Sequence, residues 1–173
     1  MDKQIQVTKQ WLKEVVVGLN LCPFAKAPLE NNTIEVVSCK LDDLFNVFTL
    51  ELEKLNDQSF ETSLIVLENS LDFVSFYDEF TTLEQILEDN ALEEYFQLVA
   101  FHPEFVFQGL EFDDLANFVN RSPYPTIHIL KKSSFDMLNL AENAGEEISF
   151  SNERLLKSLS SEKLKQLFPW LKL

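Results

Sequence analysis

The side chains best suited to chemistry fall in one stretch, residues 101–132. This stretch contains both histidines of the chain, His102 and His128, and one of only two arginines, Arg121. An imidazole titrates near neutral pH and can transfer protons. A guanidinium binds carboxylates or phosphates through paired hydrogen bonds. The combination predicts a site for a small anionic ligand, with Arg121 as the anion anchor and His102 as general acid/base.

The segment around Arg121 is dense in polar groups and framed by prolines, with the sequence NRSPYP over residues 120–125. Asn120 and Ser122 place neutral hydrogen-bonding groups on either side of the guanidinium. Tyr124 completes the predicted set of ligand-binding residues. Because proline restricts the backbone, the segment is expected to be a rigid loop.

Each of these residues also has a structural interpretation. In an acidic chain Arg121 is well placed to form an ion pair with Asp113 or Asp114 and so fix the loop. His128 is a further candidate for catalysis, but it lies inside an alternating strand pattern, which favours a satisfied histidine on a sheet face. His102 is followed by proline at the end of a strand pattern, and is therefore expected to be accessible.

A second unusual segment, LNLCPFA at residues 19–25, contains Cys22. Cys22 is a candidate covalent partner in catalysis, provided that nearby cations favour its thiolate. Without such cations the end of the preceding helix would raise its pKa, and the cysteine would be a small buried hydrophobe. We expect this turn to pack against the loop of His102 and Arg121 and to form one pocket with it.

The sequence predicts no metal site and leaves the cofactor unknown. The H-x-H, H-E-x-x-H and C-x-x-C spacings typical of metal ligands are missing. The chain has only three glycines, which excludes a Walker loop and a dinucleotide-binding glycine turn. Cys39 lies in a strand pattern and is expected to be structural.

The charge balance restricts the partners. Asp and Glu number 29 against 14 Lys and Arg, for a formal net charge of -15. Such a surface repels phosphate backbones and anionic membranes, so neither nucleic acid nor membrane is an expected partner. No apolar run approaches the roughly 18 residues of a membrane span, and no secretory signal is visible, which predicts a cytoplasmic protein. The sequence leaves the oligomeric state open.

Apolar periodicity predicts a single α/β domain over residues 1–173, in which helices flank a sheet of about four strands. The strands are expected near residues 34–38, 63–67, 96–101 and 125–130. The first helix is expected over 7–19, with Thr8 as its cap and Pro23 at its end. Further helices are expected from Asp42 and from Asp72, over 113–119, from Ser133 or Ser134 through Leu138 and Ala141, from Ser151 and from Ser161.

One arrangement of these elements is a split βαβ unit as in the ferredoxin fold. If the strands at 96–101 and 125–130 pair in antiparallel fashion, His102 lies beside residues 120–122. That pairing is the geometry in which a site forms most easily.

Three segments resemble an uncharacterised bacterial family, domain of unknown function 1415. They are LNLCPFA (19–25), FHPEFVF (101–107) and NRSPYPTIHIL (120–130), and the similarity extends over most of the chain in the same order. The resemblance implies no particular activity, cofactor or ligand. Two hypotheses therefore stand: an enzyme acting on a small anionic metabolite, and a non-catalytic binding or interaction module that uses the NRSPYP loop.

Overall fold

Four strands form one mixed sheet in the computed structural model, which describes residues 2–57, 59–136 and 144–171. The strands are β1 Ile34–Cys39, β2 Thr62–Leu67, β3 Phe96–Phe101 and β4 Thr126–Lys131, in the spatial order β1-β2-β4-β3. The four predicted strands are confirmed to within one or two residues at each end. The short β-branched and apolar runs were sufficient to locate them.

Helices cover the sheet on both faces. In chain order they are α1 Lys3–Trp11, α2 Lys26–Glu30, α3 Leu44–Asn56, α4 Phe73–Asp89, α5 Ser133–Asp136, α6 Ala144–Ser158 and α7 Ser161–Leu167. α1 continues into a π-helical segment, Leu12–Val17, and a 3₁₀ helix spans Leu115–Asn120. The fold is therefore α/β, as the sequence predicts.

Two apolar cores lie on opposite faces of the sheet. One core packs α3 and α4 against the face that carries Ile65, Ile127 and Ile129. The other packs α1 and the C-terminal helices against the face that carries Leu64 and Val66. Since β2 is covered on both faces, all six of its residues are buried. This explains why its sequence is a continuous apolar run rather than an alternating one.

The strand order contains one ordinary and one split βαβ unit. β1 and β2 are adjacent and parallel, with α3 connecting them. β4 is antiparallel to both β2 and β3, so β2 and β3 run parallel with β4 between them. The split unit is thus present as β2–α4–β3. The direct pairing of β1 with β2 differs from the strand arrangement of the ferredoxin fold.

The ends of the first helix differ from the prediction. The N-cap is Asp2, whose carboxylate accepts a hydrogen bond from the Gln4 amide, and Thr8 is buried inside the helix. The helical segment ends at Val17, and the left-handed residue that follows it is Asn20, with a φ of 55°, so Pro23 is not the residue that stops it. The amides of Asn20 and Leu21 donate to the carbonyls of Val17 and Val16, which is the hydrogen-bond pattern of a Schellman motif.

The C-terminal helices also differ in part. α6 begins at Ala144, so Ser151 lies within this helix rather than at its start. Leu138 and Ala141, predicted to lie in the helix that follows β4, are outside the described residues. α7 has Ser160 as its N-cap. Among the helices of the described ranges, none combines the length and apolar character that crossing a membrane requires.

Candidate functional site

The antiparallel pairing of β3 and β4 brings His102 next to the NRSPYP loop, as predicted. β3 ends at Phe101, which is paired with Thr126 at the start of β4. Immediately beyond this pair the His102 amide donates to the Asn120 carbonyl, with an N–O distance of 3.0 Å. The Asn120 side-chain amide in turn donates to the Ala100 carbonyl at 3.0 Å. These bonds extend the sheet contact past the ends of the two strands.

His102 is buried, so its predicted accessibility is wrong. Nε2 lies 3.0 Å from the Leu71 carbonyl, and Nδ1 accepts a 3.0 Å hydrogen bond from the Glu104 amide. Both contacts fit the neutral ring with its proton on Nε2. The ring stacks on Phe76 with centroids 5.2 Å apart, and Phe73 of α4 also contacts it. Burial lowers the pKa of His102, since the charged ring would lose its hydration.

Arg121 is also buried, with 2% of its surface exposed. Nε donates to the Phe105 carbonyl at 3.2 Å and Nη2 donates to the Phe112 carbonyl at 2.5 Å. The guanidinium carbon lies 4.5 Å from the ring centroid of Phe112 and 4.8 Å from that of Phe118. Arg121 therefore fastens the segment after β3 through backbone carbonyls and aromatic faces.

The alternative ion pair of Arg121 with Asp113 or Asp114 does not form. Within the described part of the chain the ion pairs at 4.0 Å or less involve lysines only. The Asp114 carboxylate instead caps the 3₁₀ helix by accepting from the Ala116 amide. Burial lowers the pKa of Arg121, and the charge of Glu104 partly opposes that shift.

Asn117 is a structural partner of Arg121 that the sequence analysis missed. It is fully buried; Oδ1 accepts from the Phe107 amide at 2.9 Å and Nδ2 donates to the Glu111 carbonyl at 2.8 Å. The Asn117 side chain thus bonds to both ends of the loop segment from Phe107 to Glu111. The available signal was an amide between the apolar residues Ala116 and Phe118, because a buried amide requires partners.

A cleft of about 790 Å³ lies at the carboxyl ends of β2 and β3. It is formed by residues 68–71 and 102–104, by several residues between 112 and 125, and by 170–171. Three of the predicted site residues line it: His102, Arg121 and Tyr124. The structure therefore brings together the predicted anchor, the predicted acid/base and one predicted ligand-binding residue.

Four further side chains give the cleft its polar character. Glu68, Glu104 and Asp113 line it and supply carboxylates. Trp170 lines it as well, and its indole Nε1 is a buried atom without a hydrogen-bond partner among the described residues. The Trp11 Nε1 and the Thr8 hydroxyl are in the same state, but neither residue lines the cleft. Nothing in the sequence around Trp170 connects it with the other site residues, which lie far from it along the chain.

Asn120 and Ser122 shape the loop without lining the cleft. The Asn120 carbonyl accepts from the His102 amide, and its side chain donates to the Ala100 carbonyl. The Ser122 hydroxyl donates to the Tyr124 carbonyl at 2.5 Å, and Ser122 is fully buried. Their polar groups therefore fix the turn between the 3₁₀ helix and β4.

His128 lies away from the cleft, on the sheet face covered by α1. The Thr62 hydroxyl donates to the Ile129 carbonyl at 2.8 Å, so its lone pair is available to accept from Nε2–H of His128. The Phe101 ring lies 6.0 Å from the imidazole, centroid to centroid. Burial lowers the pKa of His128 to about 4. The structure thus agrees with its interpretation as a satisfied histidine of the sheet.

Cys22 is likewise separate from the cleft. It packs against the core beneath α1 and is absent from the lining residues. Burial raises the pKa of the thiol, and hydrogen bonds from the Phe24 and Ala25 amides oppose this only in part. The segment is instead attached to α6, where the Asn152 side chain donates to the Leu21 carbonyl at 2.7 Å. The expected shared pocket is not formed, because the helix ends earlier and directs the chain toward α6.

The three residues proposed for catalysis therefore occupy three different environments. Within the described ranges there is no group of three or more His, Cys, Asp or Glu side chains arranged to bind a metal ion. The chemically distinctive features of the cleft are Arg121, Trp170 and the carboxylates.

The fold and the cleft together define a class of α/β protein. Helices cover both faces of one mixed sheet, and loops form a cleft at the carboxyl ends of β2 and β3. The chain belongs to the family described as protein of unknown function DUF1415, which matches residues 3–166. This assignment confirms the resemblance carried by the three sequence segments. Neither the curated proteins nor the solved structures contain a match to the chain.

Proposed function

We propose that the cleft binds a small metabolite through an anionic group, with Arg121 as the anchor. The supporting observation is a buried guanidinium with no carboxylate within 4.0 Å among the described residues. A buried charge is costly unless a counter-charge and hydrogen bonds compensate it. Two carbonyls and two aromatic rings supply part of that compensation. An anionic ligand would supply the rest.

Hydrogen-bond donors remain available for such a ligand. Nε and Nη2 of Arg121 are used on backbone carbonyls, whereas Nη1 makes no hydrogen bond to a described residue. Trp170 lines the same cleft, and its buried N–H is a second donor that a ligand could use if the ring turned toward it. Two donors of this kind suit the two oxygens of a carboxylate.

The carboxylates of the cleft narrow the class of ligand. Glu68, Glu104 and Asp113 outnumber the single guanidinium, so a doubly charged phosphate would meet net repulsion. A ligand with one carboxylate and one ammonium group would have a counter-charge for each. We therefore propose a small zwitterionic carboxylate of the amino-acid type.

The structure bears differently on catalysis and on a protein contact through the NRSPYP loop. General acid/base catalysis by His102 stays a prediction, and it would require Nδ1 to release the Glu104 amide before accepting a proton from a substrate. In the NRSPYP loop, Arg121, Ser122 and Pro123 are buried, which gives little support to a protein contact through that loop. The cytoplasmic location likewise stays a prediction.

A thermal-shift panel tests the proposed ligand class. The panel comprises the common amino acids, the corresponding carboxylic acids without the amino group, and inorganic phosphate. We expect one or more amino acids to raise the unfolding midpoint, because a ligand that binds only the native state stabilises it. The deaminated acids and phosphate should raise it less. If every compound leaves the midpoint unchanged, the proposal is wrong.

Two tryptophan variants locate the binding site. Trp170→Phe removes the indole N–H and also makes the ring smaller, and we expect affinity to fall roughly tenfold because a hydrogen bond to a charged group is lost. Trp11→Phe is the matched control, since Trp11 also has a buried Nε1 without a partner but lies outside the cleft lining. It should leave the affinity unchanged. An equal loss of affinity in both variants would contradict binding in the cleft.

A further inference from the structure

The negative charge of the chain is concentrated in one region, residues 55–120. This region contains 15 of the 29 Asp and Glu residues and none of the 14 Lys and Arg residues. The remainder of the chain therefore has 14 acidic and 14 basic residues and is formally neutral. The region includes β2, α4, β3 and the loop that Asn117 and Arg121 fasten. A field of one sign attracts partners of the opposite charge.

The same region exposes large apolar side chains. Of the nine exposed large hydrophobic residues in the described part of the chain, five lie on α4 and the loop after β3: Val74 (69% exposed), Tyr77 (42%), Phe107 (37%), Leu110 (37%) and Phe112 (58%). We call these five residues the acidic-aromatic face. Exposed apolar groups clustered in this way, rather than scattered, are typical of interaction sites.

Ring contacts join α4 to the loop after β3. The Tyr77 ring lies 5.7 Å from Phe73, Phe73 lies 5.3 Å from Phe105, and Phe105 lies 4.8 Å from Phe107, centroid to centroid. Phe73 and Phe105 are the more buried members, and they connect the exposed rings at either end. The exposed rings of Tyr77 and Phe107 are therefore connected through two packed rings, which places α4 and the loop beside each other.

The loop presents its apolar side chains in a fixed conformation. Asn117 bonds to the backbone of Phe107 and Glu111, and Arg121 bonds to the carbonyl of Phe112. The turn between them has Gly109 at a φ of 84°, where other residues would be strained. A partner that binds this loop does not have to order it, which reduces the entropic cost of association.

We infer that the acidic-aromatic face binds a basic segment of another protein, in which Lys or Arg residues flank apolar anchors. Charge complementarity selects this partner: residues 55–120 contribute 15 carboxylates and no Lys or Arg, while the exposed apolar side chains offer contacts for apolar anchors. A second copy of this chain is disfavoured, since it would bring a like-charged face to the same surface. Phe107 and Leu110 do not line the cleft, so this inference is separable from the proposed ligand.

Fluorescence anisotropy with two labelled peptides provides the test. The first peptide is a synthetic amphipathic helix of Lys and Leu, and the second has the same Lys residues with each Leu replaced by Ser. We expect saturable binding of the Lys–Leu peptide that is at least about tenfold tighter than that of the Lys–Ser peptide. Added salt should weaken both, because screening reduces the electrostatic attraction.

Surface variants identify the face that binds. The double variant Phe107→Ser, Leu110→Ser should weaken binding of the Lys–Leu peptide by about tenfold, because the apolar anchors lose their contacts. The matched control is Phe45→Ser, Phe150→Ser, which removes two exposed rings outside the acidic region. That variant should bind like the native protein.

Three results would overturn the inference. Equal affinity for the two peptides would mean that charge alone is responsible. Unchanged binding by the Phe107→Ser, Leu110→Ser variant would assign the interaction to another surface. A dimer in sedimentation experiments that this variant dissociates would make a second copy of the chain the occupant of the face.

Discussion

His102 and Arg121 have the side chains of an active site, yet both use their polar atoms on the backbone. The imidazole connects the loop after β2 to the segment after β3, and the guanidinium connects that segment to the 3₁₀ helix. Buried polar groups require such partners. The two residues therefore build the walls of the cleft, and a ligand role for Arg121 is additional to a structural one.

His128 allows a pH prediction at the level of one residue. Its pKa in the native protein is about 4, below the ordinary value of 6.5, because the ring is buried. Between these two values the unfolded chain binds a proton that the native protein does not, so native stability falls as the pH drops through this window. The loss attributable to His128 should total about 3 kcal/mol. Urea unfolding between pH 8 and pH 4 measures it.

The variant His128→Gln isolates this contribution. Glutamine can still donate to the Thr62 hydroxyl but does not titrate, so its stability should fall less steeply than that of the native protein between pH 6.5 and about 4. Above pH 7 both proteins should have flat profiles, which provides an internal control. Identical slopes for the two proteins below pH 6.5 would show that His128 is not the titrating group.

The sequence identified His102 and Arg121 as unusual residues, but it did not reveal that both are buried. A histidine before proline at a strand end suggests an exposed position, and only the packing of Phe73 and Phe76 over the ring makes it buried. The same limit applies to Arg121, whose acceptors are backbone carbonyls rather than the acids that the sequence offered. The juxtaposition of His102 with residues 120–122 was predictable, because it depends only on the antiparallel pairing of two recognised strands.

At the level of elements, the strands were predictable and the helix ends were not. Strand positions follow from local composition, whereas the first helix ends through the left-handed conformation of Asn20 after a π-helical segment. Pro23, three residues after Asn20, is therefore a weaker signal for the end of a helix than the left-handed residue itself. Because the helix ends early, Cys22 is directed toward α6 and away from the cleft.

Gly18 and Gly145 give a matched pair of helix substitutions. A Cβ at Gly18 would lie 2.2 Å from the Glu14 carbonyl oxygen, so alanine there must displace backbone. We expect Gly18→Ala to destabilise the protein by roughly 1–3 kcal/mol. A Cβ at Gly145 in α6 meets nothing within 4 Å. Gly145→Ala should therefore stabilise by about 0.4–1 kcal/mol, because it reduces the conformational freedom of the unfolded chain.

Urea midpoints of the two alanine variants decide this prediction. Opposite signs would support a close backbone approach at the end of the π-helical segment. If Gly18→Ala is as stable as the native protein, the close approach of the Glu14 carbonyl is absent in solution. The φ of Gly18 is -61°, so strain in the alanine backbone cannot account for a loss of stability.

For the whole molecule, the segregation of charge carries a cost in stability. The acidic region lies on one part of the sequence and includes like-charged neighbours on α4, such as Glu84 and Glu88. Burial raises the pKa of Glu84, and the charge of Glu88 adds to the shift. The native state therefore disfavours the charged form of Glu84 at neutral pH. A surface that carries such a cost fits the inferred recognition of a basic partner.

Glu84→Gln should relieve part of this repulsion and stabilise the protein by about 0.5 kcal/mol at low salt. The gain should shrink in ~0.5 M NaCl, since screening already weakens the repulsion in the native protein. The matched control is Glu153→Gln on α6, which removes the carboxylate that pairs with Lys157 at 2.5 Å and should cost a few tenths of a kcal/mol. Urea unfolding of both variants at low and high salt measures these differences. A destabilised Glu84→Gln variant would show that repulsion on α4 is not a significant cost, and that the acidic region is tolerated because its charges are well hydrated.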